Sequence, residues 1–93
     1  MYEINSETFE IERSLLVGLG AFHLWLNDSV DQLWVKNINS SVKTTTVVNL
    51  NTFTVEQTVN LPTTLNLSDN AVQHDVIINP QGNFAYVTIL DGT

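Results

Sequence analysis

The chain has 93 residues, with ten acidic side chains against three basic ones, a net charge of −7 and no cysteine. That length supports one small domain at most; the missing basic stripe argues against nucleic acid and anionic membrane surfaces as partners, and the missing thiols exclude disulfide staples, zinc-thiolate sites and thiol catalysis. The longest apolar stretch, Leu15 to Leu26, is broken by Gly18, Gly20 and His23 and falls short of the roughly 20 residues a helix needs to cross a bilayer, so no membrane insertion is expected, and no signal peptide is expected at Met1.

Helical periodicity is weak throughout, whereas short runs rich in Val, Ile, Thr and aromatics alternate with polar residues and end on Asn, Asp, Gly or Pro. In chain order, strands are predicted at Tyr2–Ile4 and Glu10–Leu15 around a tight turn at Asn5-Ser-Glu7, then at His23–Leu26 and Gln32–Lys36 around the polar turn Asn27–Asp31. Next come Thr44–Asn49 and Thr54–Thr58, joined by a turn at Asn51-Thr52, and finally Asp75–Ile78 and Phe84–Ile89, joined by Asn79-Pro-Gln-Gly-Asn83. In that last turn Pro80 presets φ for the first central position and Gly82 tolerates a positive φ.

The chain says two things twice. Tyr2–Leu15 is echoed by Val48–Val59, with Thr8-Phe9 falling on Thr52-Phe53 and Glu12 on Glu56, and the second copy reads as two residues tighter at its turn. His23–Val35 is echoed by Asp75–Val87, with Asn27 on Asn79 and Trp34-Val35 on Tyr86-Val87. The first pair is spaced by 44 residues and the second by 52, so eight extra residues lie between Val59 and His74. A period of about 40 to 50 residues made of short alternating strands is the signature of a blade array. The expected fold is therefore all-β: about two four-stranded antiparallel blades of an incomplete β-propeller. With strands lettered A (innermost) to D, residues 1–18 form a C-D half-blade, 19–59 a full blade, and 60–93 a loop plus an A-B half-blade. Trp34 and Tyr86 should occupy equivalent positions on B strands.

The segment His74-Asp-Val-Ile-Ile-Asn-Pro-Gln-Gly-Asn-Phe-Ala-Tyr-Val-Thr88 resembles the YVTN β-propeller repeat, departing from it at Gln81, where the family commonly has Asp, and at Ile89, where it commonly has Asn. Leu33-Trp34-Val35 and Thr46–Val55 look like that family's B strand and C-D hairpin. The resemblance implies an exported or cell-surface setting. Relatives of that kind include surface-layer proteins, lactonase-like enzymes, and propellers carrying copper or quinone cofactors, so the fold alone names no reaction.

In such an architecture strand A lines the mouth of the central channel, which makes His23, His74 and Asp75 the candidate site. Neutral imidazoles suit copper, zinc or iron, and Asp75 could act as ligand or orienter; His23 and His74 are the candidate metal residues. The plainer alternative is that each histidine ties neighbouring sheets through a backbone hydrogen bond. The two are offset by one place in the repeat alignment, His74 falling on Phe22, so a common direction is not implied. The long connection before β-strand Asp75–Ile78 adds Thr63, Asn66, Asp69 and Asn70 as candidate binding residues, because long loops on a rigid scaffold are where binding is placed. No Gly-x-Ser-x-Gly elbow supports a nucleophilic serine, and the pairs Glu10/Glu12 and Asp28/Asp31 read as solvated faces. The expected function is a non-catalytic repeat scaffold that binds protein or small molecules, with no cofactor, and whose partners include other copies or further blades. The competing reading is a fragment of a propeller enzyme, a lactonase-like hydrolase or a copper or quinone oxidoreductase, with His23 and His74 near the channel.

Overall fold

The structure is a computed structural model and describes residues 1–39, 43–61 and 65–91. Among the described residues the fold is all-β. Eight strands follow one another: β1 (Tyr2–Ile4), β2 (Ile11–Ser14), β3 (Ala21–Asn27), β4 (Gln32–Asn37), β5 (Thr44–Asn49), β6 (Thr54–Asn60), β7 (Val72–Ile78) and β8 (Ala85–Leu90). They form three antiparallel sheets, β1-β2, β3-β4-β5-β6 and β7-β8. Every predicted strand has its counterpart. The largest change is at β7, which starts at Val72 rather than Asp75, because pairing of Val72 and Gln73 with Leu90 and Ile89 extends the ladder beyond the locally apolar run. A 3₁₀ turn spans Asp28–Val30.

The two hairpins β1-β2 and β5-β6 share one geometry. Tyr2 pairs with Ser14, Glu3 with Arg13 and Ile4 with Ile11, with a bulge between Glu3 and Ile4. Forty-four residues on, Thr46 pairs with Thr58, Val47 with Gln57 and Val48 with Val55, with the bulge between Val47 and Val48. The turns agree as well. Asn5 Oδ1 accepts the backbone N–H groups of Glu7 and Thr8 at 2.9 and 3.0 Å, and Asn49 Oδ1 accepts those of Asn51 and Thr52 at 2.9 and 3.2 Å. Phe9 and Phe53 close the two turns at φ 63° and 53°. The second turn is therefore no shorter than the first: the Asx turn begins at Asn49, two residues before the expected Asn51, because the asparagine carboxamide substitutes for a backbone acceptor.

The hairpins β3-β4 and β7-β8 correspond in the same way. Leu26 pairs with Leu33, Trp25 with Trp34 and Leu24 with Val35; fifty-two residues on, Ile78 pairs with Ala85, Ile77 with Tyr86 and Val76 with Val87. Trp34 and Tyr86 thus hold the same register position. Gly82 takes a φ of 76° and its carbonyl accepts a 3.0 Å hydrogen bond from Asn27 Nδ2, so the two turns touch.

The buried apolar residues are few: Val35, Val47, Val48, Phe53, Ala71 and Val76. β7 packs against β3, β4 and β5, and Val47 and Val48, adjacent on β5, are buried on opposite faces of the sheet. The β1-β2 hairpin adds Arg13, whose guanidinium lies 4.4 Å from the Phe53 ring centroid while its Nη2 donates to the Leu50 carbonyl at 3.3 Å. Apolar side chains of the flanking hairpins, including Tyr2, Ile4, Phe9, Ile77, Phe84 and Tyr86, remain exposed.

Candidate functional site

His23 and His74 both sit at irregularities in their ladders. On β3, three steps from Ala21 to Leu24 are matched by two on β4, from Asn37 to Val35. On β7, two steps from Gln73 to Asp75 are matched by one on β8. Each strand carries one extra residue there, and a bulge re-aims the side chains that follow it. Where β3 and β7 pack together the two imidazoles meet: their ring centroids are 5.9 Å apart with planes tilted by 42°. Phe22 stacks on His23 at 4.3 Å between centroids, and His23 Nδ1 lies 3.5 Å from Asp75 Oδ1.

Asp75 is held in place from its own backbone. Its N–H donates to Thr88 Oγ1 at 3.1 Å, and its Oδ1 accepts from the Val76 N–H at 2.9 Å. His23 and Asp75 are partly exposed and His74 is exposed, so the cluster opens to solvent. Among the described residues no group of three or more His, Cys, Asp or Glu side chains is placed to hold a metal ion. His23, His74 and Asp75 form a polar pair of imidazoles with one carboxylate, suited to hydrogen bonding and, on protonation, to an ion pair.

Beneath this cluster lies a feature the sequence reading did not single out. Lys36 is fully buried, and its ammonium donates to Thr45 Oγ1 and Gln73 Oε1, tying β4 to β5 and β7. Gln73 Nε2 donates in turn to the Lys43 carbonyl at 2.8 Å. Burial, which penalises the charged form, pushes the Lys36 pKa down to about 8, with the Asp75 carboxylate pulling it partly back. Next to it, the buried Asn37 donates from Nδ2 to Thr44 Oγ1 at 3.0 Å and Thr46 Oγ1 at 2.9 Å, while its Oδ1 has no partner. The signal available in the sequence was parity: Lys36 follows Trp34 by two within one strand, and residues two apart share a face.

The connection residues fall elsewhere. Asn66, in the left-handed region at φ 50°, Asp69 and Asn70 are exposed; the Asp69 carbonyl accepts from Lys43 Nζ at 2.8 Å, and neighbouring Ser68 is bonded to Asp91 through Oγ and N–H. No described hydrogen bond, ion pair or ring contact joins these three residues to the imidazoles. Thr63 lies outside the described residues. A separate open cleft of about 320 Å³ lies between the two touching turns, lined by Trp25, Asn27, Asp28, Ser29, Asn79 and Pro80 among others.

No family model, no curated protein and no solved structure matches this chain.

Proposed function

We propose that the chain is a propeller-type repeat scaffold, with one complete blade (β3 to β6) between two half-blades, and that its work is binding. The observation that carries this reading is the double correspondence of registers. Hairpins spaced by 44 residues share pairing, bulge and Asx turn, and hairpins spaced by 52 residues share pairing and bulge. Repeat units that cannot bury their own faces stack on neighbours and present loops along one rim. The resemblance of His74–Thr88 to the YVTN repeat adds an exported or cell-surface setting to the proposal.

The binding surface of this reading is the His23, His74 and Asp75 cluster. It offers two imidazoles and a carboxylate on strands rather than loops, above a sheet cross-linked by Lys36. The second reading, a metal or hydrolytic enzyme, is favoured by the same juxtaposition of imidazoles. Elemental analysis of the purified chain, copper(II) titration followed by the imidazole proton resonances, and assay of a simple lactone separate the two. A scaffold gives no stoichiometric retained metal and no turnover. Retained copper lost on His23→Ala or His74→Ala, or lactone turnover abolished by either, overturns the scaffold reading.

A further inference from the structure

Among the described residues the last strand, β8, pairs only with β7, and the first, β1, pairs only with β2. Edge strands are normally blunted by charge, proline or a bulge. Here β8 reads Ala-Tyr-Val-Thr-Ile-Leu, without charge or proline, and the one carboxylate on β1, Glu3, is already neutralised by Arg13, whose Nη2 lies 2.6 Å from Glu3 Oε2.

We propose that β8 of one copy of this chain pairs antiparallel with β1 of a second copy, completing a four-stranded sheet β7-β8-β1-β2 in a single register. The inference rests on the repeat reading above and names a partner for it. Its template is inside the chain. The β4-β5 ladder joins one hairpin of each kind through Leu33 with Val48, Trp34 with Val47 and Val35 with Thr46. Advancing the β4 members by 52 residues and setting the β5 members back by 44 gives Ala85 opposite Ile4, Tyr86 opposite Glu3 and Val87 opposite Tyr2.

Burial supports the same join. Ile4 and Tyr2 are 56% and 66% exposed, whereas their counterparts in the central sheet, Val48 and Thr46, are 0% and 1% exposed. Phe9 is 80% exposed, while Phe53, in the same turn conformation, is covered by Arg13 and only 8% exposed. The terminal hairpins carry side chains suited to an interior that one copy does not provide, and an apolar surface of this kind marks an interaction site. The contact is heterologous, head to tail, so it closes into a ring when an integral number of copies completes the turn. About three or four copies give the six or eight blades within the propeller range.

The chain has no cysteine, so paired substitutions report register without background. Directly opposed residues place their Cα atoms at about 4.5 to 5.5 Å, within disulfide range. Three variants are oxidised at micromolar concentration and weighed by native and denaturing mass spectrometry: Ile4→Cys with Ala85→Cys, the one-residue slip Glu3→Cys with Ala85→Cys, and the internal control Leu33→Cys with Val48→Cys. The expected result is a discrete oligomer of the unsubstituted chain, cross-linking between chains to the same copy number for the first pair, little for the slipped pair because it faces the other side of the sheet, and a disulfide within one chain for the control. A folded monomer, a polydisperse aggregate, a disulfide within one chain for the first pair, or equal cross-linking by the slipped pair overturns the proposal. A control that forms while the first pair fails leaves the repeat fold standing and removes only the assembly; a control that fails removes the fold reading with it.

Discussion

Lys36→Met will stabilise the chain at neutral pH and erase a rise in stability that the native protein shows on the alkaline side. Burial holds the folded Lys36 pKa near 8 against an ordinary 10.5. Between those values the unfolded chain binds more protons than the folded one, so unfolding free energy increases with pH; below about pH 8 the full cost of burying the ammonium is present. A depression of that size corresponds to about 3 kcal/mol across the window. Methionine keeps the length of the lysine stem and adapts to irregular space. It leaves no orphaned acceptor, since Thr45 Oγ1 also donates to Gln73 Oε1. The variant should therefore gain about 1 to 3 kcal/mol at pH 7, the smaller part where the ammonium's own hydrogen bonds offset its desolvation. Urea unfolding followed by Trp25 and Trp34 fluorescence, at fixed protein concentration and at several pH values from 6.5 to about 10.5, measures the gap between native and variant. Contributions common to both proteins cancel in the difference. The gap should close as pH rises. A gap that stays constant, or widens, refutes the account of Lys36 as a buried charge held against its desolvation.

Asp75→Asn removes the carboxylate that raises the Lys36 pKa, so in the same measurement the alkaline rise in stability should begin at a lower pH than in the native chain; an unchanged onset would break the link between the imidazole cluster and the buried lysine. Phe53→Ala deletes a ring that is buried against Arg13 and should cost about 3 to 5 kcal/mol in urea unfolding, whereas a loss below about 1 kcal/mol would mean the hairpin β1-β2 does not pack there. Gly82→Ala must fit a Cβ at a φ of 76° and 1.8 Å from Ser29 Oγ; left-handed strain and overpacking together should cost about 3 kcal/mol, read as a lower thermal midpoint and loss of the Asn27 side-chain amide signals of a bonded carboxamide. Full native stability in that variant would argue against the contact between the two turns.

The strands and their order are determined locally. Thr44–Asn49 and Gln32–Asn37 are rich in β-branched or aromatic residues, and Asn5, Asn49 and Asn79 each open a turn through their own carboxamide, so neighbouring residues suffice to place β1 to β8 within a few positions. Repetition in the sequence also carries the pairing, because residues that match at a spacing of 44 or 52 sit at matching register positions. The length of the second turn was misread because Asn51-Thr52 looks like a turn on its own, while the Asx bond that sets the turn belongs to Asn49.

What tertiary structure alone decides is which of two locally identical residues is inside. Phe9 and Phe53 share turn, φ region and flanking asparagine, yet only Phe53 has a hairpin laid over it. Lys36 lies in a strand where a lysine ordinarily reaches solvent; it is buried because Gln73, 37 residues later in the chain, arrives from β7. The meeting of His23 and His74 has the same origin. Their one-place offset in sequence implies no common direction; each sits at a bulge within its own hairpin, and the packing of β7 against β3 brings the two rings together. Local chemistry specifies conformation, whereas burial and side-chain convergence depend on which surface a remote segment brings up, and that is a property of the packed chain.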